Sequence, residues 1–214
     1  MVSRLTYAAA VALVAVSRAR AQDSGIWEIS AQAMQSVGAS TSVTVFDARA
    51  AGVTQSAIAL RASTNLLRLG PASLRYMAQL LPVIRLGGVD RYTPLQNGAV
   101  TTYVLDGTRE VYGVGVVPLG LELATRVGRR VKLQAGAGIG MAGFTQHVPY
   151  AASRQRNFIA EWDGALHLHA GGDRWVQLGA RWRHISNGNT AWENPGIDNR
   201  MLFAGVSWRV RAPR

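Results

Sequence analysis

Apolar and polar side chains alternate along most of this chain with a period of two. From Trp175 to Arg183 the even positions Val176, Leu178, Ala180 and Trp182 are apolar, and most odd positions are polar or small. From Phe158 to Ala170 the even positions are again apolar or small, opposite Glu161, Asp163, His167 and His169. From Leu74 to Leu86 the even positions include Leu74, Tyr76, Leu80, Ile84 and Leu86, with Arg75, Gln79 and Arg85 on the other parity. Ala57 to Arg68 repeats the pattern, with Ile58, Leu60 and Leu66 opposite Arg61, Ser63 and Asn65. Successive side chains of a strand point to opposite faces. Each segment therefore reads as a strand with one apolar and one charged face.

A soluble sandwich would show the same alternation, so strand length and connections must decide. These strands run to roughly 10 residues or more, which exceeds the usual soluble strand and suits a tilted membrane-spanning one. The connections at 69–72, 127–129 and 171–174 are tight, whereas 87–109, 146–157 and 187–199 are long. Short turns at one end and long loops at the other are the pattern of an outer-membrane barrel. Trp and Tyr near several strand ends fit aromatic girdles. Strands are expected near 40–48, 56–68, 73–86, 110–126, 130–145, 157–170, 174–186 and 200–210. The stretch 26–36 also alternates and is an extension of, or a replacement for, the first. The fold expected is all-β, an eight-stranded antiparallel barrel with both termini in the periplasm.

The N-terminus reads differently. Arg4 precedes the short apolar run Tyr7 to Val16, and Ala19-Arg20-Ala21 resembles a small-x-small cleavage site. Residues 1–21 are expected to be a signal peptide and 22–214 the barrel domain. No later apolar run reaches the roughly 20 residues of a membrane-spanning helix. Cleavage leaves 20 basic against 12 acidic residues, a formal charge of +8. The chain has no cysteine, so disulfides, thiolate nucleophiles and Cys-ligated metals are excluded. In an exported protein the positive balance favours lipopolysaccharide phosphates over nucleic acid as partner. Arg91, Arg109, Arg154 and Arg156 in the long loops are candidate phosphate contacts. The oligomeric state stays open, a homodimer included.

An Arg-rich inward face needs counter-charges, since unpaired buried charge is costly. Arg61, Arg75, Arg85, Lys132, Arg181 and Arg183 are expected to pair with Glu122, Glu161 and Asp163. His167 and His169 share that parity and are expected to be packed lumen histidines rather than metal ligands.

The end of the seventh strand, Arg181-Trp182-Arg183-His184-Ile185-Ser186-Asn187, breaks the pattern. His184 and Ser186 have the lipid-facing parity of Val176, Leu178 and Trp182. Polar side chains there are costly unless they sit near the interface. Residues i and i+2 on a strand face are neighbours, so His184 and Ser186 form a base–nucleophile pair of the kind acyl transfer requires. Asp198 opens the last strand with the parity of Leu202, Ala204 and Val206, and that strand is the antiparallel neighbour of the seventh. Ser186, His184 and Asp198 thus form a candidate triad. Asn187 and Asn194 are candidate oxyanion donors, and Glu193 is a rival acid. Taken alone, His-x-Ser is a weak signal; its rival is a polar interfacial rim.

The same residues carry a family resemblance. His184-Ile185-Ser186-Asn187, followed by Asn194-Pro195-Gly196-Ile197-Asp198 and a final strand, resembles the lipid A 3-O-deacylases (PagL-like), whose motif is His-x-Ser-Asn and then Asn-x-Gly-x-acid. The acid is usually Glu in that family; related acyloxyacyl-hydrolase-like members carry Asp, as here. The stretch Lys132 to Gly140 resembles a family strand, while the C-terminus lacks the usual terminal aromatic. The resemblance implies a serine esterase on the outer wall of an eight-stranded barrel. It would cleave the 3-position acyl ester of lipid A without metal or organic cofactor. Ser186 would be nucleophile, His184 base and Asp198 the orienting acid, with Asn187, Asn194 or the Gly196 N–H holding the oxyanion. The rival readings are a non-enzymatic structural or adhesive barrel and a barrel phospholipase or acyltransferase.

Overall fold

The computed structural model describes residues 26–40, 52–149, 153–191 and 196–211. Eight antiparallel strands close into one barrel in chain order. They are β1 (Ile26–Ser36), β2 (Thr54–Leu69), β3 (Ala72–Asn97), β4 (Val100–Arg126), β5 (Val131–Val148), β6 (Arg154–His169), β7 (Arg174–Ser186) and β8 (Ile197–Arg211). Closure pairs β1 with β8, from Ile26 opposite Arg211 to Ser36 opposite Met201. The segment 1–21, expected to be a signal peptide, lies outside the described residues. So do residues 41–48 of the strand expected at 40–48, and the first strand of the barrel is 26–36.

The three tight connections fall at one end, which the topology makes periplasmic. Between β2 and β3 the turn is Gly70-Pro71, and Gly70 takes a positive φ of 61° that glycine adopts without Cβ strain. Following register partners around the wall from Trp27, through Trp162, Trp182 and Arg200, returns to β1 at Val37. One circuit therefore climbs ten residues along β1. This stagger is what a tilted, closed sheet requires. An in-register partner on the next strand sits slightly more than one residue nearer the outer face.

Parity sorts the two faces as expected in the lower barrel. Leu80, Leu166 and Leu178 are exposed on the wall, whereas Arg75, Glu161 and Arg181 are buried in the lumen. The upper barrel departs from the sequence pattern. Register shifts between Leu81 and Ile84 on β3, and between Val116 and Leu119 on β4, place one proline each, Pro82 and Pro118, in a bulge. Proline has no N–H for the ladder, so bulges are where it is tolerated. Beyond Pro82 the parity inverts. Ile84 and Leu86, expected outside, point inward, and Arg85, expected in the lumen, is exposed and pairs with Glu110. The segment 87–109 is also not a loop. It continues β3 and β4, with Val89 still buried in the barrel, and from Arg91 to Thr108 forms a largely exposed ribbon held by cross-strand pairs such as Arg91–Asp106 at 3.0 Å.

The lumen consequently has two layers. Toward the outer end it is apolar, with Leu81, Ile84, Val111, Phe144, Ile159, Ile185 and Ile197 in one cluster. Below lies an ion network. Arg61 pairs with Asp163, and Arg181 reaches the same carboxylate at 2.9 Å. Glu161 takes Arg183 at 2.6 Å and accepts a hydrogen bond from Gln79 at 2.9 Å. Glu122 takes Arg75 at 2.6 Å. Glu28, on the strand whose boundary the sequence left open, joins the network through Lys132 at 2.5 Å and Arg75 at 3.3 Å. Five cations thus meet four carboxylates, which offsets their desolvation where lone charges would be prohibitive. His167 is fully buried 3.9 Å from Glu28. His169 is not a lumen residue: it is exposed at the periplasmic end, its Nε2 2.8 Å from the Gly172 carbonyl.

Asp163 is shared by two buried guanidinium groups. Asp163→Ala strands both, and is expected to lower folding stability by about 3–5 kcal/mol. Urea unfolding in detergent reads this directly; an unchanged midpoint would mean that water or the neighbouring carboxylates replace the lost partner.

Candidate active site

The site is built by the outer ends of β7 and β8. Along β7 the odd residues Arg181, Arg183 and Ile185 are buried, and the even residues Trp182, His184 and Ser186 are partly exposed on the wall. Ile197 of β8 is buried and Asp198 faces out. Ile185 and Ile197 are register partners within the apolar plug. Packing of this kind holds the two strand ends rigidly, because a well-packed apolar layer resists displacement.

His184 and Asp198 are directly opposite one another in the register. Their Nδ1 and Oδ1 atoms lie 2.9 Å apart, with the carboxylate acting as acceptor. Cβ atoms of facing strand residues stand about 4.5–5.5 Å apart, a gap that aspartate spans without a further methylene. The His184 side chain is 31% exposed and that of Asp198 10%, so the acid is shielded while the imidazole stays reachable. An acceptor at Nδ1 fixes the proton there and leaves Nε2 as the free lone pair.

Three further contacts position the ring. Trp182 stacks on His184 with centroids 6.0 Å apart at 16°, and Trp162 stacks on Trp182 at 6.2 Å. Gly196 is buried against the imidazole edge: a Cβ there would lie 2.2 Å from His184 Cε1. The sequence offered Gly196 as an oxyanion donor. The structure adds a steric reason for glycine at this position, which spacing alone does not reveal. Ser186 lies two residues beyond His184 on the same face and is register partner of Phe158 on β6.

The connection after Ser186 begins as a tight turn. Thr190 donates to the Asn187 carbonyl from its backbone N at 3.2 Å and its hydroxyl at 2.7 Å, and Asn189 has a φ of 61°. The Asn187 side chain is buried, not on the exposed face that carries Ser186. Asn194 and the rival acid Glu193 lie outside the described residues. Of the loop arginines, Arg154 donates to the Thr190 carbonyl at 3.0 Å and Arg91 is held by Asp106. Arg109 is half-buried, and Arg156 is exposed on the wall of β6. Among the described residues no cluster of His, Asp and Glu has the arrangement of a metal site.

Comparison with known proteins bears on the fold and the family. No curated protein sequence matches the chain. The crystal structure of the outer membrane enzyme PagL superposes with a TM-score of 0.56 at 15% identity, covering 87% of this chain and 99% of that one. The outer membrane protein OprG from Pseudomonas aeruginosa gives a TM-score of 0.50 at 11% identity, with 88% and 97% covered. At these identities the likeness is one of fold. The family model for lipid A 3-O-deacylase (PagL) matches residues 87–207, more than half of the chain, and spans the whole candidate site. The barrel, with its apolar outer wall, sits in the bacterial outer membrane, and the chain belongs to the lipid A 3-O-deacylase (PagL) family.

Proposed function

We propose that this barrel is a serine esterase that hydrolyses the 3-position acyl ester of lipid A. The observation that carries the reading is the His184–Asp198 contact at 2.9 Å on the lipid-facing wall, with Ser186 two residues along the same face. A packed structural histidine has no need of a carboxylate partner on a wall that otherwise meets hydrocarbon. A base that must become an imidazolium does.

In this mechanism lipid A approaches sideways from the outer leaflet. Ser186 Oγ attacks the ester carbonyl while His184 Nε2 takes its proton. Asp198 keeps the proton on Nδ1 and stabilises the imidazolium, and the Trp182 face beneath adds cation–π attraction. Collapse of the tetrahedral intermediate breaks the ester C–O bond. His184 returns the proton to the leaving 3-hydroxyl. Water, activated by the same histidine, then releases the fatty acid and restores Ser186. Donors in the connection between Asn187 and Gly196 hold the oxyanion, with Asn194 and the Gly196 N–H as candidates. The chemistry needs no metal or organic cofactor. The outer rim supplies the water that the hydrocarbon belt excludes.

Ser186→Ala and His184→Ala are each expected to abolish deacylation, a loss of at least ~10³-fold, because nucleophile and base act as a unit. Mass spectrometry of lipid A from cells carrying each variant checks this; release of the 3-linked chain by Ser186→Ala at the wild-type rate would sink the serine mechanism. Asp198→Asn is expected to cost on the order of 10³–10⁴ in kcat through loss of charge and the wrong tautomer. Should Asp198→Asn be silent and Glu193→Gln inactive, the acid is misassigned. Gly196→Ala pushes a methyl into the imidazole edge and is expected to lower kcat about 10²-fold. The folded barrel should keep its slower-migrating or faster-migrating unboiled band on electrophoresis, unlike an unfolded chain. Full activity in Gly196→Ala would show that the ring has room to move.

A further inference from the structure

Arg200 is a charged residue on the outer wall at the depth of the aromatic level. It lies on β8 with the outward parity of Asp198, Leu202, Ala204 and Val206, and it is exposed. Its register partner on β7 is Trp182, whose outward neighbours Ala180, Leu178 and Val176 are apolar. A charge on a lipid-facing wall is destabilising unless something at the interface answers it. Among the described residues no carboxylate does so. Asp198, two residues away, is committed to His184; of the other outward arginines of the upper barrel, Arg85 has Glu110, and Arg156 stands two residues beyond Phe158, the partner of Ser186, nearer the outer rim.

The barrel stagger decides the depth of Arg200. Because in-register partners climb slightly more than one residue per strand, Arg200 stands higher than Trp182 and within about one residue of the level of His184. The stacked Trp162 and Trp182 mark this level as the headgroup interface, where indole rings of an outer-membrane barrel reside. An arginine stem is long enough to lift its guanidinium further outward along the wall. The cation therefore faces the headgroup layer beside the reactive pair, one strand away from Ser186. On its far side the outward Gln35 is hydrogen-bonded to Ser56, so the polar band continues past Arg200 without an acid.

The geometry points to Arg200 as a substrate-binding residue that takes a phosphate monoester of the glycolipid headgroup while the acyl ester lies at Ser186. This rests on the esterase reading of the site and names the substrate feature that the wall recognises. Phosphate is the chemistry that matches: a fork of guanidinium N–H groups binds it bidentately, and the substrate brings the counter-charge that the wall lacks. Binding then removes the cost of the exposed cation at the moment of docking.

The test uses binding and turnover separately. Full-length protein is folded in neutral detergent, and lipid A is prepared with and without its phosphate groups. In the Ser186→Ala background, which holds substrate without turnover, quenching of the intrinsic tryptophan fluorescence, to which Trp182 beside the site contributes, reports binding. Adding Arg200→Ala is expected to weaken binding of phosphorylated lipid A about 10-fold and to leave binding of the dephosphorylated form unchanged. In the active protein, Arg200→Ala is expected to raise KM for the phosphorylated substrate about 10-fold with kcat within twofold, and Arg200→Lys to fall between. Bulk phosphatidylglycerol added as competitor separates a lipid A phosphate from any lipid phosphate: competition at equal mole fraction would overturn recognition of the glycolipid. Equal binding of both lipid A forms by the Arg200 variants and their parents would overturn the proposal, as would an equal fall in kcat on both substrates. If the parent protein releases no fatty acid, the esterase reading fails, but the binding difference still decides the role of Arg200.

Discussion

A strand that crosses hydrocarbon must find partners for every backbone N–H and C=O, because each unsatisfied group there costs several kcal/mol. Closure of the sheet meets this requirement, and here it is completed by the pairing of β1 with β8. The rest of the molecule depends on it. A closed wall has one face in lipid and one enclosed, so the two-residue period assigns every side chain to one or the other. The enclosed face is too narrow to stay as wet as a porin channel. Its charges must therefore neutralise each other, which is why Arg61 and Arg181 share Asp163, and why Glu28 reaches across to Lys132 and Arg75.

That enclosed network fits the proposed placing of the chemistry on the outer wall. A site in the lumen would have to admit a lipid into a space already filled by ion pairs and, above them, by an apolar plug. A site on the wall meets its lipid by lateral diffusion in the leaflet. The plug contributes to such a site from behind. Ile185 and Ile197 are anchored in it, and they alternate with His184, Ser186 and Asp198 along the same two strands. Reactive side chains placed on a rigid strand pair lose little orientational freedom when substrate arrives, which is the gain that catalysis takes from a scaffold.

Under the proposed mechanism, an aspartate at 198 serves where the resemblance leads one to expect Glu. His184 and Asp198 face each other directly across the β7–β8 ladder, so the short side chain reaches Nδ1. Gly196 closes over the other edge of the ring and Trp182 supports its face. An imidazole gripped on three sides has one free nitrogen, directed away from the acid. The same crowding explains why the position two residues before the acid carries no side chain.

Much of this was legible in the sequence. Strand number, the sense of the lower faces, the lumen charges Arg61, Arg75, Lys132, Arg181, Arg183, Glu122, Glu161 and Asp163, and the His184–Ser186–Asp198 parity follow from a two-residue period, which is local and needs no knowledge of neighbours. Glu28 as a lumen carboxylate, and the places of Arg85 and His169 outside the lumen, do not. Three further things were not legible. Parity fails at Pro82 and Pro118, because a bulge consumes a residue and its position depends on the partner strand. The first strand was ambiguous between 26–36 and 40–48, because closure with β8 selects it and closure is non-local. The grip of Gly196 on His184 and the depth of Arg200 arise from register and stagger between strands far apart in sequence. The sequence by itself determined which residues face lipid along an unbroken strand. Only the tertiary structure decided which of them meet, since the meeting is set by how eight strands slide past one another when the sheet is forced to close.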